Sequence, residues 1–198
     1  IDPGPIATVL EGRTRPTHFA GVSQVVLTLM HLTAPRWALF GRKDAQQLAI
    51  IESMVRDLAV PLEIVPVDIR RESDGLAMSS RNAYLSPEQR HQALALSRAL
   101  QAGRDAAAQV TGTRPDPAAI RQAALASLEA ADGVEIDYVA LVAPDSFEDL
   151  AGTGLGLPRS APAGEDEGEG LPAVGLLAVA ARVGTTRLID NTLIDLRP

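Results

Sequence analysis

In Trp37-Ala38-Leu39-Phe40-Gly41-Arg42-Lys43-Asp44-Ala45-Gln46-Gln47-Leu48, an apolar run meets a glycine and then a helical pattern continued by Ile51, Val55 and Leu58. That order predicts a buried strand at Trp37 to Phe40, a glycine turn, and a helix from Lys43 to Ala59. A helix N-terminus at the carboxyl end of a strand collects free backbone N–H groups and the positive end of the helix dipole, so it favours an anion. Lys43 is the only lysine in the chain and stands where a phosphate-neutralising ammonium would be wanted. Upstream, Thr17 can cap a helix whose apolar face is Phe19, Val22, Val26 and Leu29. Downstream, Leu62 to Val67 reads as another strand. The alternation is that of an α/β fold, in which ligands bind at the carboxyl ends of parallel strands.

Beyond Arg70 the pattern changes. Ser86-Pro87-Glu88-Gln89 combines an N-cap, a proline at the first helical position and a capping-box glutamine, and predicts a long helix to about Gln109. Asp116-Pro117 repeats the signal for a helix with Ile120, Ala124, Leu125 and Leu128 on one face. Strands follow at Ile136 to Val142, Leu176 to Val183 and Arg187 to Ile194, with a hairpin turn at Gly184-Thr185-Thr186. This second region is α+β. The expected domains are a partial Rossmann-like nucleotide-binding domain at 1–69 and a smaller C-terminal α+β lid domain at 70–198. Between the last strands, 152–172 is rich in Gly, Pro and acid and is expected to be a disordered loop. Its acidic cluster at Gly164 to Gly170 reads as a solvated linker, not a metal site.

Asp74-Gly75-Leu76-Ala77-Met78-Ser79-Ser80-Arg81-Asn82 is the second candidate anion site. Gly75 permits unusual backbone angles, the hydroxyls of Ser79 and Ser80 can donate to phosphate oxygens, and Arg81 offers a planar, permanently charged fork. Such a sequence also serves as an ordinary turn or helix cap.

Composition narrows the classes. Apolar residues make up 46% of 198 residues, enough for a sizeable core. The absence of cysteine removes disulfides, thiolate catalysis and cysteine-bound zinc. A net charge of −7 argues against a nucleic-acid surface. No apolar run is long enough to span a membrane and no signal peptide opens the sequence, so a cytoplasmic location is expected. Up to Asn82, nine basic residues balance nine acidic ones; from Ala83 onward sixteen acidic face nine basic. The phosphate-facing half is the neutral one.

Leu10 to Gly12, Arg15 to Val22, Phe40 to Gln47, Arg71 to Leu85 and Ala180 to Asn191 together resemble the pantoate-beta-alanine ligase (pantothenate synthetase) family. Its pattern runs LEG, RPxHFxGV, FGxKDxQQ, REaDGLAMSSRNxYL and AARxGTTRLxDN. Family members also carry an N-terminal segment with an HxGH-type signature, and His18, His31 and His91 do not have that spacing. The expectation is the C-terminal part of such an enzyme, through truncation, proteolysis or an incomplete gene model.

The resemblance implies ATP-dependent ligation of pantoate to beta-alanine through a pantoyl adenylate, with ATP and Mg²⁺. Lys43, Ser79, Ser80 and Arg81 would be the catalytic phosphate holders. Gly41, Arg42, Asp44, Arg70 and Met78 would join them around ATP, and Gln47 would hold pantoate. Arg15 and His18 are further candidates; His18 either contacts substrate or is structural. Asp44 is either a nucleotide or metal-linked contact or a carboxylate complementing the helix dipole. Gln46 is expected to face solvent, His31 and His91 to lie on the surface or pack, and Met78 to fill a gap under its loop. A homodimer with small-molecule substrates is expected, weakly active or inactive as this chain. The alternatives are a non-catalytic oligomerisation or regulatory fragment, or another nucleotidyltransferase of related architecture.

Overall fold

The computed structural model describes residues 1–158 and 171–198, so the acidic cluster at Gly164 to Gly170 and most of the expected 152–172 loop lie outside the described residues. Two compact units divide the chain. The first holds Ile1–Ile69 with Asp145–Phe147 and Gly154–Pro158; the second holds Arg70–Pro144, Glu148–Thr153 and 171–198.

The first unit opens with a 3-10 turn, Pro5–Thr8, and a single-turn helix α1, Glu11–Thr14, then helix α2, His18–Thr33. Thr17 occupies the N-cap of α2 but makes no side-chain capping bond, because its backbone is already helical. Ala34 ends α2 in the left-handed region, its N–H donating to the Met30 carbonyl at 2.8 Å, and Pro35 prevents continuation. Strands β1, Trp37–Gly41, and β2, Glu63–Val67, pair in parallel, with helix α3, Ala45–Asp57, as their crossover. Met30, Ile51 and Met54 form the buried centre, packed by Val22, Val26, Ala38, Phe40 and Ile64.

Two expectations need correction here. β1 is buried on one side only: Trp37 is 52% and Leu39 67% exposed. Alternation along a strand sends these two to the face opposite Ala38 and Phe40, where no described element covers them. Leu29, expected on the buried face of α2, is 53% exposed, and Met30 takes that place.

The second unit places helices α4, Pro87–Ala108, and α5, Pro117–Glu129, against an antiparallel sheet of β3, Val134–Val142, β4, Val174–Val183, and β5, Thr186–Asp195. The α4 capping box is complete, and the Asp116 carboxylate accepts from Ala118 N–H at the start of α5. Ile120, Ala124 and Leu128 are buried as the spacing predicts, joining Leu96 and Leu100 of α4 against Leu141, Leu177, Val179 and Val183. Fully burying a leucine or valine of this kind stabilises by roughly 1.5–3 kcal/mol. The α/β architecture with an α+β second region stands as expected.

Candidate functional site

The first candidate group is held at the end of β1. Gly41 is exposed, Arg42–Asp44 form a 3-10 turn, and α3 begins at Ala45. Lys43 and Gln47 are half-buried, four residues apart across the start of the helix. Asp44 is the N-cap of α3, exposed and without a side-chain capping bond. Arg42 pairs with Asp68 at 3.3 Å, an exposed ion pair of little energetic weight.

Gln46 overturns its expected exposure. It is 5% exposed, donates from Nε2 to the carbonyls of Ile6 at 2.6 Å and Val9 at 2.8 Å, and accepts from Glu11 N–H at 3.1 Å through Oε1. One amide therefore ties α3 to the Leu10-Glu11-Gly12 turn, using both its donor and acceptor functions. The turn is tight: a Cβ on Gly12 would lie 1.9 Å from the Ala7 carbonyl oxygen. Behind it, an Arg15 Nη2–H donates to His18 Nδ1 at 2.9 Å. Arginine has no acceptor, so in this contact Nδ1 is the accepting atom. The His18 ring also meets Phe19 at a centroid distance of 5.1 Å.

The second candidate group is a fastened loop in the other unit. Arg71 and Ala77 bridge in antiparallel fashion, Glu72 N–H donates to Leu76 O at 2.8 Å, and Gly75 turns the chain at φ 96°. The Arg71 guanidinium binds both oxygens of Asp190, at 2.7 and 3.0 Å, and donates to the Gly75 carbonyl at 3.1 Å. Arg90 of α4 reaches Glu72 at 2.6 Å and Asp74 at 2.9 Å, while Asn82 Nδ2 donates to Glu72 at 2.7 Å and to the Ala77 carbonyl at 3.1 Å. Hydrogen bonds from Arg90 and Asn82 hold the Glu72 carboxyl below its usual range; the Leu76 N–H, then Arg90, do the same for Asp74.

On this frame Ser79 is the N-cap of the 3-10 turn Ser80–Tyr84, its Oγ accepting from Arg81 N–H at 3.3 Å, while Ser80 is exposed. Arg81 is exposed and touches the Arg187 carbonyl at 3.4 Å. Arg70 is exposed too. Met78 is 52% exposed, so it does not fill a gap beneath the loop; Leu76 and Ala77, both buried, do. His31 and His91 lie on the surface. Lys43 and the serine pair belong to different units, so the structure groups Gly41 to Gln47 in one and Met78 to Arg81 in the other.

Sequence reading missed Gln46, Arg71, Arg90 and Asp190 as organisers of these groups. Their partners lie 35 to 40, 119 and 16 to 18 residues away, beyond any local pattern.

The family model for pantoate-beta-alanine ligase matches residues 1–193. The chain is 51% identical over 188 residues to pantothenate synthetase 4 of Frankia alni, covering 95% of this chain and 54% of that protein. It spans about half the length of the curated relatives it matches. The crystal structure of pantothenate synthetase from Thermus thermophilus superposes with a TM-score of 0.81 at 39% identity, over all of this chain and 63% of that one. The pantoate-beta-alanine ligase of Francisella tularensis, complexed with beta-gamma ATP and beta-alanine, gives a TM-score of 0.61 at 26% identity, over 98% and 57%.

Proposed function

This chain belongs to the pantoate-beta-alanine ligase family, and we propose that it serves the ATP-dependent condensation of pantoate with beta-alanine. The observation that supports this best is the strand end from Gly41 to Gln47, where the one lysine precedes a helix N-terminus. The Francisella ligase, complexed with beta-gamma ATP and beta-alanine, suggests the ligand classes. In this reading residues 1–69 are the nucleotide-binding domain and 70–198 the lid, in a cytoplasmic homodimer.

In the proposed first step a pantoate carboxylate oxygen bonds to the α-phosphorus, and the bond to the bridging oxygen breaks to release pyrophosphate. In the second, the beta-alanine amine attacks the acyl carbon, AMP leaves and the amine gives up a proton. An anion attacking a polyanion needs cationic cover. Lys43 and Arg81 supply charge to the phosphates, and Ser79 and Ser80 supply hydroxyl donors. Gly41, Arg42, Asp44, Arg70 and Met78 contact the nucleotide, Gln47 the hydroxy acid, and Arg15 with His18 an anionic group. Mg²⁺ belongs to this scheme as part of the Mg·ATP substrate. Among the described residues no three His, Cys, Asp or Glu gather into a metal cage. Mg²⁺ keeps several waters and binds substrate phosphates with one or two carboxylates, a role open to Asp44.

Calorimetric titration with an ATP analogue, followed by pantoate-dependent ATP–pyrophosphate exchange, tests the proposal. Measurable nucleotide binding that falls at least tenfold in Lys43→Ala, with weak exchange by this chain alone, is expected. Binding indifferent to Lys43→Ala and Arg81→Ala would remove its basis. Robust exchange would show that the chain needs nothing further for adenylation.

A further inference from the structure

We propose that Asn82 is a positioning residue for the phosphate-holding turn: its side-chain amide closes the Ser79-Ser80-Arg81 segment onto the loop behind it, so that the two hydroxyls and the guanidinium are presented together. The inference rests on the reading of that turn as a nucleotide site.

The turn hangs from a small hairpin. Met78 N–H donates to Arg70 O at 2.9 Å, Arg71 bridges Ala77, and Glu72 N–H donates to Leu76 O at 2.8 Å. Asn82 reaches back to both arms of this hairpin, its Nδ2 hydrogens going to the Ala77 carbonyl at 3.1 Å and to Glu72 Oε1 at 2.7 Å. Its backbone N–H donates to Ser79 O at 3.1 Å. Bonds from one residue thus close the chain on either side of Ser79, Ser80 and Arg81. Leu76 and Ala77 are buried, whereas Ser80 and Arg81 stay exposed. Glu72 is held in turn by Arg90 at 2.6 Å, which ties the closure to α4.

These contacts demand an amide in one orientation. Both Nδ2 hydrogens are spent on acceptors, and a turned-over amide would set Oδ1 against a carboxylate and a carbonyl. The orientation leaves Oδ1 buried and without a hydrogen-bond partner among the described residues. An unsatisfied buried acceptor lowers stability, so stability alone gives no reason to keep one here. Local rules of this kind are broken where a functional geometry is being held.

Calorimetric titration of this chain with a non-hydrolysable ATP analogue and with AMP, which lacks the β- and γ-phosphates, tests the role. In Asn82→Ala the analogue's affinity should fall about five- to tenfold and that of AMP less than about twofold, because the lost hydrogen bonds shape the turn and not the nucleoside contacts. Asn82→Asp should be weaker still, since a carboxylate would face Glu72. Adding Glu72→Gln to Asn82→Asp exchanges donor and acceptor and should recover most of that further loss. Far-UV circular dichroism and urea unfolding identify the variants that keep the fold, and the double variant decides the matter if Asn82→Ala does not. An equal fall for both ligands makes Asn82 a purely structural residue and overturns the proposal. So does a double variant no better than Asn82→Asp alone, or an Asn82→Ala chain that binds the analogue as the parent does while Arg81→Ala weakens it. If Arg81→Ala and Ser80→Ala are also without effect, the turn holds no phosphate, and the nucleotide reading falls together with the proposal.

Discussion

Arg71 grips Asp190 with two parallel hydrogen bonds, Nη1 to Oδ2 at 2.7 Å and Nη2 to Oδ1 at 3.0 Å, although 119 residues separate them. Asp190 is 3% exposed and also accepts from the Asn191 N–H. The same guanidinium holds the Gly75 carbonyl, so the pair fastens the serine-bearing loop to β5. Removing one partner leaves a charge stranded. Arg71→Met or Asp190→Leu should cost about 3 kcal/mol, the lower end for such pairs because the arginine still meets water. Urea unfolding measures it, and a loss below about 1 kcal/mol would mean the pair does not anchor the loop.

The Glu72, Asp74 and Arg90 cluster gives the loop an acid limit. Both carboxyls have folded-state pKa values lowered by their partners. Their contribution is therefore fully present above the unfolded carboxylate range and is lost as pH falls through the lower folded values. The loop should stay fastened at neutral pH and loosen only under distinctly acidic conditions, sooner at high salt because these side chains are about one-third exposed. Amide exchange at Gly75 and Leu76 followed against pH reads this opening. Arg90→Ala should flatten the dependence; an unaltered profile would assign it to other groups.

Gln46 makes a sharper prediction, because its amide joins elements 35 to 40 residues apart. Gln46→Leu keeps the bulk while removing the donor to Ile6 and Val9 and the acceptor for Glu11. The expected cost is about 2 kcal/mol in the first unit, since buried backbone groups lose partners. Proteolysis near Leu10 should rise in step. Gln47→Leu, by contrast, should change pantoate affinity and leave stability within about 0.5 kcal/mol.

What could be read from the chain beforehand followed the range of each interaction. The Ser86–Gln89 capping box and the Asp116 cap are complete within four residues, so the sequence spells them out. Trp37 to Phe40 is continuous in apolar character, and a continuous run does not disclose which of its two faces is covered. Gln46 and Gln47 are identical in type and adjacent. Only the closing of the Ile6–Glu11 segment over α3 decides that the first is buried. Met78 looked like a core residue by chemistry, yet its neighbours Leu76 and Ala77 took the inward positions once Arg71 and Ala77 bridged.

The serine pair separates structure from ligand binding. Ser79 Oγ caps the short turn by accepting from Arg81 N–H, so Ser79→Ala should cost about 0.5–1 kcal/mol and also weaken phosphate binding. Ser80 is exposed, and Ser80→Ala should leave stability within about 0.5 kcal/mol. If the loop holds phosphate, nucleotide affinity still falls in Ser80→Ala, severalfold for one lost hydroxyl donor. Parallel melting and calorimetric titration of both variants distinguish the roles. Unchanged affinity in both would reduce this turn to a cap, and the anion would have to be held by Lys43 and Arg81 without hydroxyl donors.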